Sequence, residues 1–262
     1  MDAPVTATED LIYVVEDGIA RLTFNRPQAR NALTFAMYER MAEICEEVNA
    51  DRAIKAMILT GAGDKAFASG TDISQFRAFK TTQDALDYEA RIDRVLTALE
   101  QVRVPTIAAI AGACTGGGAA IAACCDLRLA ASTAKFGFPI ARTLGNCLSV
   151  ANYGRLVNLI GPARVKDLIF TARLIDADEA RLFGLVGEIV APEHLHARAE
   201  ELAQTVASHA PLTLQATKEA LARLRPKVET GDDLVIKCYR SADFQEGMEA
   251  FLAKRPPQWR GE

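Results

Sequence analysis

The sequence predicts an α/β fold. Three observations carry that reading. Strand-like and helix-like segments alternate three times before about residue 132, the remainder is mostly helical, and two glycine-bearing turns join strands to helices. Such alternation is the sequence form of strands and helices wound about a common sheet.

The elements follow in order. "LIYVVEDGIARLTFNRP" alternates apolar and polar residues around Asp17-Gly18, a hairpin signal closed by Pro27. "LTFAMYERMAEICEEVNAD" places apolar residues at helical spacing with acids on the other face, and Thr34 is in position to cap it. "IKAMILTG" reads as a buried strand ending at Gly61, followed by a loop, "GAGDKAFASGTDISQF", and a helix through "ALDYEARIDRVLTALEQV". "PTIAAIAG" is another buried strand, "GGAAIAACCD" a short buried helix, and "LRLAAS" a further strand. Beyond these, "GPARVKDLIFTA", "DADEARLFG", "PEHLHARAEELAQTVASHA", "PLTLQATKEALARL" and "GDDLVIKCYRSADFQEGMEAFLAK" have helical spacing, several opening on Pro, Asp or Gly.

Composition narrows the function classes. The 262 residues are half apolar and carry a formal charge of −4. No basic stripe suggests nucleic acid, and no run reaches the roughly 18 apolar residues of a membrane span. The N-terminus is acidic and lacks an apolar signal core, so a cytoplasmic location is expected. The six cysteines lack C-x-x-C spacing and read as buried free thiols. His194 and His196 stand two apart, on different sides of a helix, and no acid or thiol completes a metal site with them.

The two turns are "KAFASGTDI" and "ACTGGGAAI". A helix N-terminus leaves unpaired N–H donors and partial positive charge, and small residues let a ligand oxygen reach them. Two such turns can hold a developing oxyanion between them. Close helix–strand packing without a ligand is the other reading of each. The glycines fit neither a P-loop nor a dinucleotide fingerprint, and Ser69 lacks a nucleophile elbow.

The segments "FNRPQARNALT", "ILTGAGDKAFASGTDI", "IAAIAGACTGGGAAIAACCDLRLAA", "AKFGFP", "DADEARLFGLVGEIV", "KEAL" and "QEGMEAFLAKRPPQW" resemble, in order from about Leu11 to Trp259, the enoyl-CoA hydratase/isomerase (crotonase) superfamily. The resemblance implies a crotonase-like spiral of β-β-α turns with two nearly perpendicular sheets. It divides the chain into a spiral core over 1–200 and a helical oligomerisation region over 201–262. It implies an acyl-CoA substrate, coenzyme A entering as part of it and no permanently bound cofactor, and a homotrimer or a hexamer built as a dimer of trimers. Carried over residue by residue, the oxyanion-hole amides belong to Thr71 and Gly117. Gln28, Ala29, Arg30, Ser69, Gly70, Asp72, Ile73 and Ser74 would line the coenzyme A channel. Gly116, Ala120 and Ile140 would also contact the substrate, and Lys65 and Lys254 are candidates for phosphate, each also reading as a solvated surface lysine.

The chain departs from the family pattern where hydratases of the family carry two glutamates: here those places hold Ala120 and Ile140. A downstream "P-G-x-G-G" type segment is replaced by "LGNCLSVANYG". A positioned acid or base contributes typically 10²- to 10⁴-fold, so efficient hydration is not expected. Arg142, two residues past Ile140, is a candidate polar group, as are Asn146, Cys147, Ser149, Asn152 and Tyr153; each also reads as surface, cap or packing. The resulting expectation is an acyl-CoA-binding enzyme, nominally hydratase- or isomerase-like, that stabilises a thioester enolate. The alternatives are a malonyl-type decarboxylase, a thioester hydrolase, and a non-catalytic acyl-CoA-binding protein.

Overall fold

The structure, a computed structural model, describes residues 10–224 and 231–262; the acidic first nine residues lie outside these. Ten strands occur among them: β1 (Leu11–Glu16), β2 (Ile19–Phe24), β3 (Ala56–Gly61), β4 (Ala66–Ala68), β5 (Thr106–Ile110), β6 (Ala113–Thr115), β7 (Leu127–Ala131), β8 (Lys135–Gly137), β9 (Ile175–Asp176) and β10 (Glu188–Val190). Eleven helices join them: α1 (Phe35–Ala50), α2 (Thr82–Glu100), α3 (Gly117–Cys124), α4 (Ile140–Thr143), α5 (Val150–Ile160), α6 (Pro162–Thr171), α7 (Ala177–Leu182), α8 (Leu195–Ala207), α9 (Pro211–Arg223), α10 (Asp232–Tyr239) and α11 (Ala242–Leu252).

The strands form two sheets, in the orders β1-β2-β3-β5-β7-β10 and β4-β6-β8-β9. The spiral is visible in that order. Each of β3, β5 and β7 lies in the larger sheet and is followed by a short strand, β4, β6 or β8, in the smaller one, then by helix. The larger sheet is parallel except for the β1–β2 hairpin. That hairpin turns on Asp17 (φ 52°) and Gly18 (φ 76°), the paired positive φ angles of a two-residue turn.

Alternation along the strands sorts the core. Ile19, Ala56, Ile58, Ile107, Ala109 and Leu129 face Leu195, Ala199 and Ala203 of α8. Their neighbours Leu22, Phe24, Met57, Leu59, Ala108 and Ile110 belong to the main core with α1, α2 and α3. Thr34 caps α1 by accepting from Met37 N at 3.2 Å, and α1 buries Met37, Tyr38, Met41, Ile44, Cys45 and Val48, one helical stripe. A division at residue 200 falls inside α8. The stretch read as continuous helical spacing from Gly231 is two helices, because Ser241 leaves the helix and caps α11 through Phe244 N. All six cysteines are free, and Cys45, Cys114, Cys124 and Cys125 are buried.

Candidate functional site

The two glycine turns meet. Strands β4 and β6 run parallel, Ala66 opposite Ala113 and Ala68 opposite Cys114, so both chains leave the small sheet at the same end. Gly70 (φ 103°) and Gly116 (φ 52°) adopt backbone shapes open chiefly to glycine. A Cβ on Gly116 would sit 3.5 Å from Gly70 Cα, and one on Gly70 would sit 3.9 Å from Gly117 N. A Cβ on Gly117 would lie 2.1 Å from the Tyr38 hydroxyl, and one on Gly118 only 2.2 Å from the Ala68 carbonyl oxygen. The glycine run therefore answers three demands: a turn, a buried hydroxyl, and a strand lying against the start of α3.

Leu33 fixes the first turn. Its N–H donates to Gly70 O and its carbonyl accepts from Asp72 N, each at 2.8 Å. This bridge uses the peptide groups on either side of Thr71 and leaves the Thr71 N–H out of it. Among the described residues neither Thr71 N nor Gly117 N donates to a protein acceptor. Gly117 opens α3, where first-turn amides have no intrahelical partner and the helix dipole adds positive character.

The segment from Pro27 to Asn31 docks onto the same turn. Ser69 N donates to Arg30 O at 3.1 Å and Ser69 Oγ to Ala29 O at 3.5 Å. Arg30 and Asn31 both have positive φ. Asn31, fully buried, accepts from Arg26 N and donates to Ala62 O and Ala66 O, which ties the segment to the β3–β4 connection. Asp72 accepts from Ser74 N and Ser74 Oγ through one carboxylate oxygen and from the Arg26 guanidinium through the other. Burial opposes ionisation, but the Ser74 and Arg26 hydrogen bonds win and hold the Asp72 carboxyl below its usual range. Gln28, Ala29, Arg30, Ser69, Gly70, Asp72, Ile73 and Ser74 are thus one neighbourhood. Lys65 stands apart from it, exposed at the opposite end of the β4–β6 pair, and Lys254 is exposed just beyond α11.

Ala120, on α3, is buried and shares a narrow crevice with Phe138, Leu148, Asn152 and Arg155. Ile140 opens α4 and is buried, whereas Arg142 is exposed on that helix. Ser149 caps α5 through Asn152 N at 3.2 Å. Asn146 Nδ2 donates to the Tyr239 hydroxyl at 3.2 Å, and Cys147 Sγ to Leu234 O at 3.5 Å.

Sequence reasoning missed the polar groups supplied by α1, α2 and α10. The Tyr38 and Thr71 hydroxyls lie 3.0 Å apart, and the Thr71 and Tyr88 hydroxyls 2.9 Å apart. Tyr239 donates to Glu89 Oε1 at 2.7 Å. Burial raises the tyrosines above their ordinary range and pushes the Glu89 carboxyl up to about 7. The signal for Glu89 was present: it lies among Ala85, Tyr88, Ile92, Leu96 and Leu99 on the helix face that packs inward.

Among the described residues no group of three or more His, Cys, Asp or Glu is placed to hold a metal. No helix among them is long and apolar enough to cross a membrane.

Comparison with known proteins identifies the scaffold. Residues 15–262 match the family described as enoyl-CoA hydratase/isomerase. The crotonyl-CoA hydratase of Syntrophomonas wolfei is 36% identical over 257 residues, 95% of this chain and 97% of that protein. An enoyl-CoA hydratase/carnithine racemase from Magnetospirillum magneticum superposes with a TM-score of 0.81 at 35% identity, over 98% of this chain and 97% of that one. A methylmalonyl-CoA decarboxylase, solved in complex with 2-nitronate-propionyl-CoA, superposes with a TM-score of 0.88 at 28% identity, over 98% of this chain and all of that one. The sheet order, the paired glycine turns and these matches lead to one conclusion: the chain belongs to the enoyl-CoA hydratase/isomerase family.

Proposed function

We propose that the protein binds an acyl-CoA thioester and stabilises its enolate by hydrogen bonds from Thr71 N and Gly117 N to the thioester oxygen. The observation that carries this is the pair of adjacent turns whose two amides have no protein acceptor among the described residues. Charge develops on the carbonyl oxygen as the enolate forms, and a preorganised donor aimed there contributes on the order of 10²- to 10³-fold. The Gln28–Arg30 segment, docked on Ser69, forms the channel wall for coenzyme A.

A malonyl-type substrate that loses carbon dioxide suits the site better than an enoyl substrate that gains water. In decarboxylation the bond from Cα to the carboxylate breaks, carbon dioxide leaves, and the electron pair passes to the oxygen held by the two amides. A carboxylate set against Ala120 and Phe138 is poorly solvated, and its charge is relieved as the bond breaks. Hydration asks for a positioned base at the water, and neither Ala120 nor Ile140 supplies one. The likeness to a methylmalonyl-CoA decarboxylase supports this reading. Assembly as a trimer or hexamer is supported by α9, which buries none of its residues and exposes Leu212 and Leu221, with Leu224 exposed just past its end.

The test is product analysis with methylmalonyl-CoA, malonyl-CoA and crotonyl-CoA. The expected result is carbon dioxide release from a malonyl-type thioester and crotonyl-CoA turnover at least 100-fold slower. Crotonyl-CoA hydrated faster than any malonyl-type thioester is decarboxylated would overturn the reaction assignment. Failure of all three to bind would overturn the thioester reading itself.

A further inference from the structure

We propose that Glu89 is the proton-transferring group of this site, exchanging a proton with the α-carbon of the bound thioester in place of the acids that Ala120 and Ile140 do not provide. The proposal rests on the thioester reading above and adds the group that reading lacks.

Glu89 is an acid set within the apolar stripe of α2. It lies on the buried face of α2 with 7% of its surface exposed. An ionised carboxylate in such a place is strongly disfavoured without a cation beside it. Among the described residues no lysine, arginine or histidine pairs with it. The nearby Arg155 is engaged by Asp93 and Glu100. What holds Glu89 instead is a neutral donor, the Tyr239 hydroxyl at 2.7 Å. Such a donor tunes a carboxyl without fixing its charge.

Its surroundings tie it to the two amides. Tyr239, its donor, packs its ring against that of Tyr88, the residue before Glu89 on α2, with centroids 6.2 Å apart. The Tyr88 and Tyr38 hydroxyls both bond Thr71 Oγ1, and the Tyr38 hydroxyl lies against Gly117. The segment that departs from the family pattern reaches Glu89 through Tyr239: Asn146 Nδ2 donates to the Tyr239 hydroxyl, while Asn146 Oδ1 is buried without a hydrogen-bond partner among the described residues.

The titratable neighbours come from four directions: Tyr38 on α1, Tyr88 and Asp93 on α2, Cys147 and Tyr153 at and before α5, and Cys238 and Tyr239 on α10. Burial, reinforced by Asp93, raises the Glu89 carboxyl to about 7 against the Tyr239 hydrogen bond, so both protonation states are available near neutrality. In exchange, the Cα–H bond breaks, the proton passes to a Glu89 oxygen, and the electron pair moves to the thioester oxygen between Thr71 N and Gly117 N. In decarboxylation the proton runs the other way, from Glu89 to the enolate carbon, and water restores it.

The experiment uses the full chain with propionyl-CoA and butyryl-CoA in deuterium oxide. Deuterium at the α-carbon is followed by mass spectrometry, and binding by calorimetry on the same preparations. The wild type is expected to bind and to exchange, with a rate that rises through a midpoint near pH 7. Glu89→Gln is expected to exchange at least 100-fold more slowly with its dissociation constant changed less than about threefold. Tyr239→Phe, which keeps the ring and removes the donor, is expected to move the midpoint upward. Exchange by Glu89→Gln at the wild-type rate and midpoint would overturn the proposal, as would a wild type that binds but never exchanges. A wild type that binds neither thioester would instead bring down the thioester reading, and this proposal with it.

Discussion

Thr71 does two jobs with two atoms: its hydroxyl joins two buried tyrosines, and its amide stays free of protein acceptors. A short polar side chain that reaches two phenols leaves the backbone beside it undisturbed. Glu89 is the opposite case, a residue whose burial is a standing burden on the fold. Its folded value of about 7 lies above the ordinary 4.5, so the folded state holds the proton more tightly. Stability from that proton is fully present below about pH 4.5 and is lost as pH rises through 7. Two and a half units correspond to about 3 kcal/mol. Glu89→Gln should therefore match the wild type near pH 4 and exceed it by about 3 kcal/mol at pH 8, measured by denaturant unfolding across that range. A stability difference that does not change with pH would contradict the burial of an ionisable group there.

At the scale of elements, the site is made by where short strands end. The sequence announced the long elements well: the hairpin at Asp17-Gly18, the Thr34 cap, the strands at 56–61, 106–110 and 127–131, and α2 all lie where spacing put them. It was silent on β4, β6, β8, β9 and β10, because two or three residues such as Ala66–Ala68 are too few to display an alternation and their partners lie roughly twenty to sixty residues away. Helix α5 was also unassigned, since its segment drew notice only for its polar residues. Yet those short strands are what set the two turns side by side. Gly118 measures how tightly: its first added carbon would meet the Ala68 carbonyl oxygen at 2.2 Å. Gly118→Ala should force α3 away from β4, lower stability by about 1–3 kcal/mol, and weaken acyl-CoA binding at least tenfold although residue 118 carries no donor to the thioester. Titration of the variant with butyryl-CoA checks this; unimpaired binding would mean that the position of α3 does not govern the site.

At the scale of the molecule, α8 closes the outer face of the large sheet, α10 folds back over α2 with α11 packed beside it, and α9 is left with its apolar residues in the open. Leu221 and Leu224 stand one turn apart and both are well exposed. If copies of the chain cover them, Leu221→Lys combined with Leu224→Lys should convert the assembly to monomers in sedimentation velocity while leaving the helical signal in circular dichroism unchanged. A wild type that sediments as a monomer would contradict assembly through α9. Kinship was legible along almost the whole chain, but the acid was not, because a helical stripe read only for its apolar members hides the one charged residue within it. A crystal structure with a bound acyl-CoA tests the paired amides most directly. The thioester oxygen is expected about 3 Å from both Thr71 N and Gly117 N. A thioester oxygen bound elsewhere, or contacting neither amide, would contradict it.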